Sequence, residues 1–304
     1  MIVRPKPERF RLRRTMMFMN AQKPGLIKDA YIYGCDSIML DLEDAVAENQ
    51  KDAARFSLYH ALTTIDYGTT EVIVRINGLD TPHWQEDIRV CVAGGADGIR
   101  IAKCESAQDV KTVEAAVEAA EREFGVEVGR TLLMAALESP KGVMNAYEIC
   151  CASDRLFGVA ISGGDFRKCM QTKFDPSGLD MLVARGQMLM AARAAGVQCF
   201  DTVYTDLDND AGFEAEVRQN KIMGFDGKSL INPKQIALVH ELFAPTQKDI
   251  VQAEAIVRAH REQSAAGVGV YLVNGKMIDV AFIPGAERTL KLAKACGMYE
   301  GDLV

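Results

Sequence analysis

The stretch DSIMLDLEDAVA (36–47) runs from four small or apolar residues straight into Asp41, Glu43 and Asp44. A segment built for burial thus ends in three carboxylates within four positions. Two readings are open. A strand leaves the core and an acidic helix start follows, which the helix dipole favours, or a strand end carries part of a cation site. Its context decides, because seven further runs share the pattern of a short apolar segment delivering a polar residue.

The eight runs are TMMFM (15–19), SIMLD (37–41), EVIVRI (71–76), GIRIA (98–102), LLMAAL (132–137), LFGVAI (156–161), CFDTV (199–203) and GKSLI (227–231). Between them lie amphipathic helix candidates such as 106–125 and 179–196. Near-continuous apolar strands alternating with helices imply a parallel sheet covered on both faces. Eight such units predict an α/β fold, a (β/α)8 TIM barrel over residues 1–244 with a C-terminal helical and lid extension over 245–304. Within that extension, 245–267 reads as a helix ending at Gly267 and 268–279 as a small hairpin. The hairpin turns on Asn274-Gly275, a strong tight-turn signal. A last helix is expected after the Pro284-Gly285 break. No Gly-x-Gly-x-x-Gly follows the first strand and no Walker-type loop occurs, so a nucleotide-binding fold has little support.

The bulk numbers fit this. A chain of 304 residues, 48% hydrophobic and 25% charged, has ordinary globular composition. A net charge of −7 argues against nucleic acid as a partner. The basic N-terminal segment has no apolar run suited to a signal peptide, and no stretch reaches membrane-span length. Eight scattered cysteines without a C-x-x-C point to a reduced, cytoplasmic protein. Four histidines, none at ligand spacing, make zinc improbable, so any metal here is a hard, oxygen-liking one.

In barrel enzymes the chemistry sits at the C-terminal strand ends. Those ends deliver Asn20, Asp41 with Glu43 and Asp44, Arg75 with Asn77, Lys103, Glu138, Asp165, Asp201 and Asn232. Glu138 and Asp165, on adjacent strands, suit one Mg²⁺ whose octahedron substrate and water complete. A helix-start role competes for both. Glu43 and Asp44 stand behind them, holding the ion's waters. Arg75 offers a planar fork for a carboxylate and Lys103 a point charge, so an anionic substrate bound through oxygen is expected.

The segments RRTMMF, DSIMLDLEDAVAENQKDAAR, VIVRINGLDT, ALESPKGV, FDTVYTDLDNDAGF, GFDGKSLINPKQI, FAPTQKDI and NGKMID together resemble the citrate lyase β-subunit family. These are Mg²⁺-dependent citryl-, citramalyl- and malyl-thioester lyases of the HpcH/HpaI aldolase superfamily, and the likeness covers nearly the whole chain. It implies a carbon–carbon lyase in which Arg75 binds substrate and Glu138 and Asp165 hold Mg²⁺. Asp279 or Glu43 would be the base, with Arg14 and Lys103 meeting carbonyl or phosphate groups of a coenzyme A thioester. In relatives the lid covers a neighbouring protomer's site, which implies a homotrimer with Asp279 acting in trans. Two departures stand out: Asn20-Ala21 replaces a usual Pro-Gly, and Ser162-Gly163-Gly164-Asp165 lacks the glutamate of Gly-x-Glu-Asp. The roomier, less negative pocket this suggests points to pyruvate from a citramalyl thioester as the first product to test. Three readings follow: a lyase on free coenzyme A thioesters, the β subunit of a citrate lyase complex with acyl-carrier and transferase partners, or a weakened scaffold subunit.

Overall fold

The computed structural model of the protein describes residues 2, 4–265 and 268–304. It comprises two compact units, Met1–Val239 and His240–Val304, the division falling inside the helix Ile236–Phe243. In the first unit eight parallel strands close in sequence order: β1 (Thr15–Asn20), β2 (Ser37–Asp41), β3 (Glu71–Arg75), β4 (Gly98–Ile101), β5 (Leu132–Leu137), β6 (Leu156–Ile161), β7 (Gln198–Asp201) and β8 (Gly227–Leu230). All eight predicted runs are strands of a TIM barrel. Closure brings β8 against β1, pairing Thr15 with Lys228. Gly227 is required there, since a Cβ would stand 2.0 Å from the Arg13 carbonyl oxygen.

The barrel is a packed core. Met16, Met39, Ile73, Leu132, Met134, Phe157, Ala160 and Phe200 fill its interior, joined by Phe18. Its N-terminal end is closed by Arg13, which donates from Nε and Nη2 to the Glu71 carboxylate at 2.7 Å each while stacking 4.0 Å above Phe157. Ser37 donates to the same carboxylate. Around the barrel, helix starts obey local chemistry. The helix Ala107–Glu123 begins with a capping box in which Ser106 and Asp109 satisfy each other's backbone N–H.

The second unit packs the helices Gln247–Ala265 and Ile283–Ala295 around Ile250, Val257, Leu290 and Ala293, with Val273 and Ile278 from a two-stranded hairpin. That hairpin, β9 (Tyr271–Val273) and β10 (Lys276–Ile278), turns through Asn274 and Gly275 at φ 50° and 77°, the positive pair of a type I′ turn. The last helix does not wait for Pro284-Gly285 to pass. Proline lies in its first turn, where the missing N–H costs nothing. The expected stop at Gly267 lies outside the described residues. Among the described residues no helix is long and apolar enough to cross a membrane.

Candidate active site

The strand ends do not all serve one site. Asp41 and Arg75 close β2 and β3, and the register sets them side by side. Arg75 donates from Nε to Asp41 Oδ1 and from Nη2 to Oδ2, both at 2.7 Å, and its Nη1 lies 2.8 Å from Glu43 Oε2. Burial works against the Arg75 charge, but the Asp41 pair outweighs it and raises its pKa. The Asp41 carboxyl is likewise held below its ordinary value, despite burial, by Arg75. Lys103 reaches Glu43 Oε1 at 2.8 Å and Asp44 Oδ1 at 3.8 Å. Its backbone sits at φ 49°, a left-handed conformation that costs energy for a non-glycine residue. Arg75, Glu43, Lys103 and Asp44 are thus one connected array.

Glu138 follows β5 into the same region and differs from every other carboxylate there. It is 2% exposed and neither oxygen has a hydrogen-bond partner; Glu43 shares that, but Arg75 and Lys103 ion-pair with Glu43, whereas Glu138 has no ion pair among the described residues. Burial pushes its carboxyl up to about 7, with Glu43 adding and Arg100 and Arg75 opposing. The Lys103 backbone N–H tempers the shift slightly without reaching hydrogen-bonding geometry. A buried carboxylate is normally paired or ligates a metal, so this orphan fits a cation.

Asp165 lies in the first turn of the helix Gly163–Met170, directly after β6. Strands β5 and β6 are neighbours, with Leu137 opposite Ile161 and the Ser162 N–H donating to the Leu137 carbonyl, so Glu138 and Asp165 follow adjacent strand ends. Among the described residues no group of three or more His, Cys, Asp or Glu could hold a metal. Two carboxylates leave most positions of an ion to substrate and water, which is how Mg²⁺ is usually bound at such sites. Gly163 is closely surrounded: a Cβ would meet Arg167 Nη1 at 2.8 Å and Thr202 Oγ1 at 3.0 Å, so a larger residue would have to displace these side chains. At Gly164 a Cβ would meet nothing, so the place of the missing glutamate is open space.

Four expected strand-end residues do other work. Asn20 bridges its loop, donating to the Ala45 carbonyl and accepting from the Gln22 N–H. Asn77 is bound through N–H and side chain to Asp87, which Arg55 also engages. Asn232 caps the turn Pro233–Gln235. Asp201 is fully buried between Arg185 (2.8 and 2.9 Å), Lys228 (2.8 Å) and Asn220 (2.6 Å), with Glu216 completing the network. Its carboxyl is kept ionised against burial by Lys228 and Arg185.

Arg14 corrects the expectation most clearly. It precedes β1 and pairs with Asp36, just before β2, through Nε and Nη2 at 2.9 Å. That is the N-terminal end of the barrel, opposite Glu138, so Arg14 cannot meet a thioester carrier at the mouth. Asp279 follows β10 in the second unit, where Oδ1 accepts from the Ala281 N–H at 2.9 Å and caps the turn Val280–Phe282. Arg100 borders this region although it does not stand at a strand end. It lies inside β4 and lines a cavity of about 260 Å³ with Asp41, Arg75, Ser162 and Thr202. The signal was a charged residue amid the apolar run GIRIA.

Residues 14–233 match the family described as HpcH/HpaI aldolase/citrate lyase, and 179–298 the family described as C–C bond lyase of the TIM-barrel fold. The chain belongs to the HpcH/HpaI aldolase/citrate lyase family. It is therefore a carbon–carbon lyase, and its cofactor is Mg²⁺. Citrate lyase subunit beta of Leuconostoc mesenteroides subsp. cremoris is 49% identical over 96% of this chain and 97% of its own. The (3S)-malyl-CoA thioesterase of Cereibacter sphaeroides (strain ATCC 17029 / ATH 2.4.9) is 34% identical over 95% and 97%. Protein CitE of Mycobacterium tuberculosis, solved with magnesium, acetoacetate and coenzyme A, is similar at 27% identity and a TM-score of 0.74, covering 92% of this chain and 98% of its own.

Proposed function

We propose that the protein cleaves a citryl thioester into an acetyl thioester and oxaloacetate, as the β subunit of a citrate lyase assembly. The observation that carries this is the partnerless Glu138 carboxylate, buried beside the Arg75–Glu43–Lys103 array and one strand from Asp165. Relatives named citrate lyase subunit beta, from 44% to 49% identical, favour citryl over the citramalyl substrate suggested by the altered mouth. They also favour an acyl-carrier subunit as the natural bearer of the thioester. The retained Arg75, Glu138 and Asp165 speak against a weakened scaffold. Eight free cysteines support a cytoplasmic setting.

Cleavage removes the substrate's hydroxyl proton and breaks the bond from that carbon to the CH₂ beside the thioester. The electron pair leaves as a thioester enolate, which a proton then quenches. Glu138 and Asp165 would hold Mg²⁺, which supplies Lewis acidity toward the substrate's oxygens. Arg75 has five N–H groups, three of them engaged by Asp41 and Glu43, and turns the others toward developing negative charge. Glu43 is occupied at both oxygens, by Arg75 and Lys103, and anchors those cations. This leaves Asp279 as the group that takes the hydroxyl proton and returns it to the enolate, acting on a neighbouring protomer's barrel in a homotrimer.

A thioester panel with Mg²⁺, following oxaloacetate, pyruvate and glyoxylate, tests the substrate. Citryl thioesters should release oxaloacetate fastest, and the carrier-bound form should outperform citryl-CoA. Pyruvate from citramalyl-CoA as the dominant product would reject the citryl reading. Asp279→Ala should lower turnover about a hundredfold, the size of one general base. Mixed with Glu138→Gln chains it should regain activity that neither parent has. A mixture that stays inactive while the chains exchange would rule out action in trans.

A further inference from the structure

Arg100 is the third residue in a row crossing three strands: the register pairs Asp41 with Arg75 and Arg75 with Arg100. The first two neutralise each other. Arg100 has no such counter-ion. It is 2% exposed, and its Nε and Nη1 are buried without a hydrogen-bond partner. Its guanidinium carbon lies 5.2 Å from the centroid of the Phe18 ring, a contact that satisfies no N–H. Burial first, and then Arg75, lower its pKa to about 10, so it remains a cation at neutral pH. Glu138 acts on it only through space, since no ion pair joins them.

An unpaired buried cation is costly, and one beside a cavity is poised for an anion. The cavity of about 260 Å³ has Phe18, Ile161 and Ile231 among its walls and Ser162 and Thr202 as polar neighbours. That is below the roughly 300 Å³ at which pockets for drug-sized ligands begin, so a small acid suits it better than a nucleotide. The carboxylate on the hydroxyl-bearing carbon belongs with Glu138, Asp165 and Arg75. A citryl thioester carries one more, on a CH₂ arm where the citramalyl thioester has only a methyl group.

We propose that Arg100 is the specificity-determining residue that reads this second carboxylate, so that the site selects substrates yielding a dicarboxylic rather than a monocarboxylic 2-oxo acid. The proposal rests on the lyase reading above and names the group that sets its substrate class. Removing one side of a buried charge pair leaves the other unpaired, so discrimination should be steep.

Calorimetry of oxaloacetate and of pyruvate binding with Mg²⁺, on wild type and Arg100→Met, reads it directly. The variant should lower oxaloacetate affinity at least a hundredfold more than pyruvate affinity. The citryl-CoA to citramalyl-CoA ratio of kcat/KM should fall in parallel, and Arg100→Lys should recover part of both ratios. The ligand-free Arg100→Met protein should melt above wild type, because an uncompensated charge has gone; a purely structural arginine would lower Tm. Equal losses for both acids, or an unchanged ratio, overturn the proposal. If the methionine variant does not fold, Arg100→Gln is read by the same ratio. Wild type cleaving neither thioester would defeat the lyase reading, while the binding ratio of the free acids would still decide the role of Arg100.

Discussion

Glu138→Gln is expected to lower Mg²⁺-dependent turnover a thousandfold or more, about 4 kcal/mol of transition-state stabilisation, and to abolish tight Mg²⁺ binding. The ligand-free barrel should nonetheless stay folded. Wild-type Glu138 has no partner to lose, and glutamine keeps its shape without its charge. The pH dependence gives the sharper test. A carboxyl raised from 4.5 to about 7 binds its proton more tightly in the folded than in the unfolded chain. Its contribution to stability is therefore fully present below pH 4.5 and is lost as pH rises through 7. The shift corresponds to about 3 kcal/mol. In the ligand-free enzyme that slope should be visible between these two values and flattened in Glu138→Gln. Mg²⁺ competes with the same proton, so wild-type affinity should weaken by up to about tenfold per pH unit below 7. Unchanged Mg²⁺ affinity in the variant, measured by calorimetry at pH 8, would remove Glu138 from the metal site.

That prediction was largely legible in the sequence, because Glu138 follows an uninterrupted apolar run and strand ends are where barrel chemistry sits. The barrel was legible for the same reason. Strands buried on both faces are apolar at most positions, and eight of them leave a repeated signature. The capping residue Ser106 and the turn residues Asn274-Gly275 are local devices and reveal themselves locally. The polar residues at the other strand ends could not be sorted this way. Whether Asp201 faces substrate or a structural cation depends on Lys228, which the closed sheet alone brings beside it. Asn77 similarly waits on Asp87. Arg14 and Arg75 look alike in the sequence as basic residues near strands, yet the chain direction puts one before β1 and the other at the end of β3. Arg100 was hidden by its surroundings, since an inward-facing residue of a short strand carries no periodic signal.

Arg75→Met should combine a large loss of stability with a large loss of activity, and the two can be separated. Asp41 is 2% exposed, and beyond Arg75 it accepts only from the backbone N–H groups of Glu43 and Ala45, at 3.0 and 3.3 Å. Removing the arginine strands that carboxylate and takes one of two cations from Glu43. Breaking a buried pair in this way typically costs about 3–5 kcal/mol, which should appear as a clearly lower Tm and denaturation midpoint. Adding Asp41→Leu should recover much of this, because the stranded charge is then gone, but it should not restore turnover. Loss of one transition-state donor costs about 2.7–4 kcal/mol, a hundredfold to a thousandfold in kcat. Arg75→Lys keeps the charge and loses the two-pronged bond to Asp41, so it should fall between wild type and Arg75→Met in both readouts. If Arg75→Lys retains kcat/KM within about threefold, well under 1 kcal/mol, the arginine does no more than neutralise Asp41. The developing charge would then have to be met by Lys103, the remaining cation of the array.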